Sequence, residues 1–251
     1  MELPRKFSCY RNRRESKLKS VLNKNPIYCA VDTSDLKNAK SIIEKVAPYI
    51  GGIKLGLEFF TSCGLSGIEQ IKKYDIPLFI DLKLYDIPAT VEKSLKNIMN
   101  FEPLYTTLHL SGGAEMLENC VRIKNELNSK TNLIGVTMLT SFDNQGLQKI
   151  GIDRVIKEEV KILSELAFEC GMDGIVCSPK EIENIKSSFR GNLKIITPGI
   201  RGQSDKSNDQ KRTLSAKDAI EKGADVIVVG RPITHSEDPS TAAQNLYNEL
   251  M

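Results

Sequence analysis

Short apolar runs alternate with amphipathic stretches along most of this chain. The runs are rich in Ile, Val and Leu, which is typical of buried strands. They occupy residues 27–31, 51–55, 77–81, 105–110, 133–138, 174–177, 193–197 and 226–230. The stretches between them repeat their apolar positions with the helical period of about 3.6 residues. These predicted helices cover residues 35–47, 58–73, 89–100, 113–128, 153–170, 179–188, 215–222 and 240–250.

Eight such strand–helix units predict a parallel sheet whose connections are right-handed crossovers. Eight units close into a single (β/α)8 TIM barrel, an α/β fold, and the chain length of 251 residues suits one. An open, doubly wound sheet is the alternative. Against it, "AVDTSD" follows the first strand, where a dinucleotide-binding sheet would carry G-x-G-x-x-G. The barrel is therefore favoured.

Charge is concentrated at the start of the chain. The first 25 residues carry eight lysines and arginines against two glutamates, although the net charge of the whole chain is only +3. This indicates a basic N-terminal extension over residues 1–25 and a barrel domain over residues 26–251. Such an extension could contact a membrane or nucleic acid, or it could be a solvated terminus. The small net charge argues against a nucleic-acid partner for the barrel.

The expected location is the cytoplasm, without a membrane anchor. No apolar run approaches the roughly 18 residues of a membrane span. The start of the chain lacks the apolar segment of a secretion signal. The six cysteines form no C-x-x-C pair, and Cys29 lies in an apolar strand, where a reduced thiol fills the core.

Polar residues collect where the predicted strands end. The carboxyl ends of barrel strands meet at one rim, where barrel enzymes keep their active sites. Asp32 could alternatively belong to the cap of the first helix, and Lys54 could extend to solvent from its strand. His109 is interpreted as a hydrogen-bonded structural residue. The strand-end residues are Asp32, Lys54, Asp81, Lys83, His109, Thr140, Pro198, Arg201, Gly230 and Arg231.

The last two strands predict a phosphate site. "TPGIRG" and "VGRP" each place a glycine, where a backbone can approach an anion, next to an arginine. Barrels often bind phosphate at the loops after strands 7 and 8, and arginine offers a forked donor to its oxygens. The polar segment 202–213 between them is either an inert loop or a lid, in which case Gln210 reaches the ligand on closure.

The most diagnostic segment is "DLKLYDIPAT", residues 81–90. With further motifs in order, it closely resembles the orotidine 5'-monophosphate decarboxylase family over roughly residues 27–240. Tyr85 occupies a variable position of the motif. The further motifs are "AVD" (30–32), "KLG" (54–56), "VTMLTS" (136–141), "TPGIR" (197–201), "DQKR" (209–212) and "VGRPIT" (229–234).

This resemblance implies a homodimeric barrel enzyme without cofactor or metal. Its expected reaction converts orotidine 5'-monophosphate to uridine 5'-monophosphate and carbon dioxide, the last step of de novo UMP biosynthesis. Lys83 would protonate C6, flanked by Asp81 and Asp86. Asp86 and Thr90 would reach the active site of the partner subunit.

The resemblance also assigns the binding residues. Asp32 and Lys54 would hold the ribose hydroxyls, and Lys54 would also join the catalytic charges. Thr140 would contact the pyrimidine, which Pro198 would border. The phosphate would be bound by Arg201, Gln210, Gly230 and Arg231.

Two other functions stay open at this point. Sugar-phosphate decarboxylases or synthases share Asp-x-Lys-x-x-Asp on the same barrel but use magnesium. The "DIPAT" continuation and Thr140 fit the pyrimidine enzyme better. The other alternative is a non-catalytic barrel that binds phosphorylated ligands or RNA, against which the complete set of motif lysines and aspartates argues.

Overall fold

A computed structural model, describing residues 25–189, 191–200 and 214–251, shows eight parallel strands closed into a barrel in chain order. β8 pairs with β1, so the sheet closes on itself and the predicted TIM barrel is confirmed. The strands are β1 (Ile27–Ala30), β2 (Gly52–Leu55), β3 (Leu78–Leu84), β4 (Tyr105–His109), β5 (Asn132–Val136), β6 (Gly174–Val176), β7 (Lys194–Thr197) and β8 (Val226–Val229).

Helices surround the barrel and bury one face each. In α1 the buried residues Ala39, Ile43 and Val46 recur at helical spacing, and the Asp35 carboxylate accepts a hydrogen bond from the Lys37 backbone N–H at 2.8 Å. A cap of this kind contributes about 1 kcal/mol. The described helices are α1 (Leu36–Val46), α2 (Leu57–Lys72), α3 (Pro88–Met99), α4 (Gly113–Glu126), α5 (Asn144–Lys149), α6 (Ile156–Glu169), α7 (Ile182–Phe189), α8 (Ala216–Glu221), α9 (Arg231–Thr234) and α10 (Pro239–Leu250).

Several helix bounds differ from the sequence prediction. Helices α5 and α9, of six and four residues, were not predicted because each buries a single residue, Leu147 and Ile233 respectively, and so shows no apolar period. Helix α7 begins at Ile182 rather than at residue 179. The Ser178 hydroxyl bonds to the Glu181 carboxylate, so these residues form a turn before the helix.

Three aromatic rings fill the barrel near the amino ends of its strands. Tyr28, Phe79 and Tyr105 pack edge to face, with ring centroids 5.5 to 6.4 Å apart. Edge-to-face packing favours such clusters beyond the area that they bury. Phe79 also lines the cavity at the opposite, carboxyl end of the barrel. The aromatic cluster therefore forms the floor beneath that cavity.

Strand β3 is longer than predicted and carries a bulge. It continues to Leu84, whereas the apolar run ends at residue 81. Three residues, 81–83, lie opposite the single residue Thr107 of β4, and Lys83 has a φ of +50°. A left-handed conformation costs a non-glycine residue about 1–2 kcal/mol. The strand partners on either side of the bulge are Ile80 with Thr106 and Leu84 with Leu108.

Some sequence predictions lie outside the described residues. These are the basic extension, residues 201–213 with Arg201 and Gln210, and with them the proposed lid. The division into residues 1–25 and 26–251 stays a prediction for the same reason. Cys29 is buried and unpaired, as predicted. No helix in the described part of the chain is long and apolar enough to cross a membrane.

Candidate active site

A cavity of about 560 Å³ opens at the carboxyl ends of the strands, and we call it the rim cavity. Apolar side chains such as Phe79 and Val228 form its base, and charged strand ends form its wall. Among its lining residues, Glu58, Met138 and His235 were not predicted as site residues. The predicted site residues that line it are Asp32, Lys54, Asp81, Lys83, Thr140, Pro198, Gly230 and Arg231.

Four of these residues form a charged row of alternating sign: Asp32, Lys54, Asp81 and Lys83. The Lys54 ammonium lies 3.1 Å from Asp32 Oδ1 and 3.5 Å from Asp81 Oδ2. The Lys83 ammonium donates to both Asp81 oxygens at 3.0 Å. Asp32 does not cap α1, a role that falls to Asp35. The row therefore links the ends of β1, β2 and β3.

The charged row keeps its central members ionised. Burial lowers the pKa of Lys54, but the Asp81 and Asp32 carboxylates outweigh it, so this pKa stands above its usual value. Burial raises the pKa of Asp81, but the Lys54 and Lys83 ammonium groups outweigh it, so this pKa stands below its usual value. Near neutral pH the cavity wall therefore presents fixed charges.

The bulge of β3 is closed by Thr107, which sequence reasoning missed. The Thr107 hydroxyl accepts a hydrogen bond from the Lys83 backbone N–H at 2.9 Å and donates one to Asp81 Oδ1 at 2.9 Å. Thr107 is fully buried. Thr106 and Thr107 are both polar within the apolar run 105–110, so the sequence alone offered no signal to choose between them.

His109, at the end of β4, is hydrogen-bonded as predicted. Its Nδ1 accepts a hydrogen bond from the Ser111 backbone N–H at 3.4 Å, and its ring centroid lies 5.6 Å from that of Tyr85. Burial and the nearby Lys83 ammonium lower the pKa of His109. The imidazole is therefore neutral at pH 7 and adds no charge beside Lys83.

Glycines and an arginine lie at the side of the cavity formed by β7 and β8. Gly199 has a φ of +81°, which favours glycine, and it follows Pro198 in the cavity wall. Gly230 precedes the short helix α9, whose first residue, Arg231, is partly buried. These residues suit an anionic group, at the position that the two Gly–Arg motifs predicted.

Asp86 and Thr90 lie outside the rim cavity of their own chain. Both are exposed, and the Asp86 carboxylate accepts a hydrogen bond from the Ile87 backbone N–H at 2.7 Å. The neighbouring side chains of Tyr85 and Ile87 are 63% and 67% exposed. A single chain therefore does not bring Asp86 into the charged row.

Within residues 25–189, 191–200 and 214–251, no group of three or more His, Cys, Asp or Glu side chains is arranged to hold a metal ion. In the charged row, both carboxylates already bind lysine ammonium groups.

Comparison with known proteins identifies the family. Residues 25–246 match the sequence model of the "Orotidine 5'-phosphate decarboxylase / HUMPS family". The orotidine 5'-phosphate decarboxylase of Paramagnetospirillum magneticum is 41% identical over 231 residues, which cover 90% of this chain and 98% of that protein. The enzyme of the same name from Wolbachia sp. subsp. Brugia malayi is 46% identical, covering 90% and 99%.

A solved structure agrees with these sequence matches. The crystal structure of orotidine 5'-phosphate decarboxylase from Lactobacillus acidophilus superposes with a TM-score of 0.76 at 29% identity. The match covers 90% of this chain and 98% of that one. With its closed barrel, its charged row and these relatives, the chain belongs to the orotidine 5'-phosphate decarboxylase / HUMPS family.

Proposed function

We propose that this protein decarboxylates orotidine 5'-monophosphate to uridine 5'-monophosphate and carbon dioxide, the last step of de novo UMP biosynthesis. The observation that carries the proposal is the charged row in the wall of the rim cavity, whose volume of about 560 Å³ is within the range of small-molecule sites. Relatives 41% and 46% identical over nine tenths of the chain bear the name of this enzyme. A cytoplasmic location fits a biosynthetic enzyme of this kind.

The reaction places negative charge on a ring carbon. The bond between C6 and the carboxylate carbon breaks, and its electron pair stays on C6 in the plane of the ring, outside the π-system. An ammonium group already fixed beside C6 stabilises this pair with little reorganisation. Lys83 then transfers a proton to C6, which completes the uracil ring, and carbon dioxide leaves. Lys83 recovers its proton from solvent.

Asp81 and Lys54 prepare Lys83 for this step. Asp81 binds the Lys83 ammonium with two contacts of 3.0 Å, which fix its position. Lys54 lies on the other side of Asp81 and balances its charge, so the site does not neutralise itself by protonating the carboxylate. The proton donor is thus held in place before the substrate binds.

The rest of the rim cavity binds the nucleotide. Asp32 and Lys54 hold the ribose hydroxyls, and Thr140 contacts the pyrimidine beside Pro198. Contacts with the phosphate, far from C6, supply binding energy that organises the site. The phosphate ligands are Gly230 and Arg231, joined by Arg201 and Gln210, which lie outside the described residues.

The active site is completed by a second copy of the chain. Asp86 and Thr90 are exposed and absent from their own cavity, next to the exposed apolar side chains of Tyr85 and Ile87. In a two-fold dimer these residues enter the partner's site, where Asp86 extends the charged row.

Hybrid dimers test this arrangement. Lys83→Ala and Asp86→Ala proteins are each expected to be inactive. A mixed dimer contains one site with both residues intact, so random exchange restores about one quarter of the wild-type activity. Absence of recovery, when subunit exchange is demonstrated by differently tagged chains, would contradict the shared site.

The activity itself is tested by adding orotidine 5'-monophosphate and following the loss of its ultraviolet absorbance, with and without EDTA. We expect turnover that EDTA does not change and that Lys83→Ala abolishes, while this variant still binds UMP. Turnover of a sugar phosphate that EDTA abolishes would instead indicate the magnesium-dependent reaction. UMP binding without any turnover by the wild type would indicate a barrel that only binds phosphorylated ligands or RNA.

A further inference from the structure

We infer that Thr107 is a positioning residue for this decarboxylation, because its hydroxyl ties the backbone of Lys83 to the carboxylate of Asp81. The inference rests on the proposed function and adds to it a residue on β4 that does not touch the reacting atoms. Its basis is the pair of 2.9 Å hydrogen bonds in the bulge of β3.

The direction of both hydrogen bonds is fixed by chemistry. The Lys83 backbone N–H can only donate, and the ionised Asp81 carboxylate can only accept. The Thr107 hydroxyl therefore has one arrangement, in which it accepts from Lys83 and gives its proton to Asp81. Because it is fully buried, water does not compete for either bond.

The bulge explains why a side chain is needed here. Residues 81–83 lie opposite one residue of β4, so the regular ladder of backbone hydrogen bonds is interrupted. A conformation such as that of Lys83, with its φ of +50°, persists only when its surroundings hold it. The hydrogen bond from the Lys83 backbone N–H to the Thr107 hydroxyl stabilises this conformation.

The contacts form a closed ring. From the Lys83 amide the ring runs through Thr107 to Asp81, and from Asp81 back to the Lys83 ammonium at 3.0 Å. Both ends of the proton donor are thus anchored on one network. Misplacement of a reacting group by about 1 Å can cost about 100-fold in rate. Loss of the hydroxyl opens this ring: the Lys83 amide and Asp81 Oδ1 each lose a hydrogen bond, so the backbone of Lys83 and the carboxylate that holds its ammonium can both shift.

The neighbouring Thr106 provides a matched control. It is also fully buried on β4, but its hydroxyl has no hydrogen-bond partner among the residues that the structure describes. Thr106→Val and Thr107→Val make the same chemical change one residue apart. A general effect of removing a buried hydroxyl from β4 would appear in both variants.

We expect Thr107→Val to lower kcat by about 30-fold or more with KM within about threefold of wild type, because the donor and not the nucleotide site is disturbed. Thr107→Ser keeps the hydroxyl and rescues most of the activity. Thr106→Val keeps kcat within about twofold. UMP binding and thermal unfolding are measured for each variant, so that activity is expressed per folded molecule.

The pH profile separates positioning from simple structural support. The hydrogen bond from Thr107 is among the contacts that lower the pKa of Asp81. Without it this pKa rises, so the acidic limb of kcat in Thr107→Val moves to higher pH. A purely structural role would lower the unfolding temperature without moving this limb.

Different results would refute the proposed function and the inference on Thr107. Absence of wild-type turnover would refute the proposed function itself. If the wild type is active, either of two results would overturn the inference alone. One is a folded Thr107→Val whose kcat lies within about threefold of wild type, and the other is a Thr107→Ser as impaired as Thr107→Val. If Thr107→Val does not fold, Thr107→Ala is compared with Thr107→Ser, and equal activity of these two overturns it.

Discussion

Replacing Lys54 with methionine removes one positive charge from the middle of the charged row while keeping a long apolar stem. The Lys54 ammonium lies 3.1 Å from Asp32 and 3.5 Å from Asp81, and its side chain is 10% exposed. The substitution therefore leaves Asp81 with Lys83 as its one cationic partner among the described residues, and it leaves Asp32 without its contact in the row.

The size of the effect follows from these distances. At an effective dielectric constant of about 20, unit charges 3.5 Å apart attract by about 5 kcal/mol, of which desolvation removes a large part. Loss of one preorganised electrostatic group costs about 10²–10³ in rate, or about 3–4 kcal/mol. We expect this loss in kcat/KM. The free energy of unfolding falls by less than the roughly 3–5 kcal/mol that an unpaired buried charge costs, because Lys83 remains bound to Asp81.

The assay compares kcat/KM on orotidine 5'-monophosphate, and urea unfolding measures stability. Lys72→Met is the matched control, since the Lys72 ammonium pairs with Glu102 at 2.8 Å on the surface, where the two side chains are 42% and 80% exposed. Such a pair contributes about 0–1 kcal/mol. Wild-type kcat/KM in Lys54→Met, or an equal loss in Lys72→Met, would refute the electrostatic reasoning.

Three further predictions concern the same cavity. Gly56→Ala places a Cβ 2.9 Å from both Asp32 Oδ1 and the Lys54 ammonium; we expect kcat/KM to fall about tenfold or more, and an unchanged value would contradict this close approach. Arg231→Ala should cost about 3 kcal/mol in kcat/KM without changing the unfolding temperature, whereas nearly wild-type kcat/KM would reject its phosphate role. The lowered pKa of Asp81 means that its ionised form stabilises the fold above the ordinary carboxyl pKa of about 4, and that this contribution is lost as the pH falls through the lowered value. Asp81→Asn should therefore unfold more easily than wild type at pH 7, with the difference closing below about pH 4 in urea titrations, and a constant difference would argue against it.

The strands could be predicted because they are buried on both faces. A strand of this kind appears as an unbroken apolar run, and seven of the eight were located within about two residues at each end. The exception is β3, whose last residues include Asp81 and Lys83. Charges there indicated the end of a strand, whereas β3 continues through a bulge to Leu84.

The site was predictable as far as strand ends determine it. Asp32, Lys54 and Asp81 lie at or just after the ends of apolar runs, and the barrel brings such ends together. Thr107 could not be assigned in this way, because its role depends on the register between β3 and β4, which no local pattern records. The place of Asp86 depends on a second chain, so neither the sequence pattern nor a single subunit reveals its contacts.

The aromatic floor of the barrel also determines where substrate enters and products leave. Because Tyr28, Phe79 and Tyr105 close the amino end, the cavity in the described part of the chain opens toward the strand carboxyl ends. Orotidine 5'-monophosphate enters the cavity through this opening. Both products, UMP and carbon dioxide, leave through the same opening.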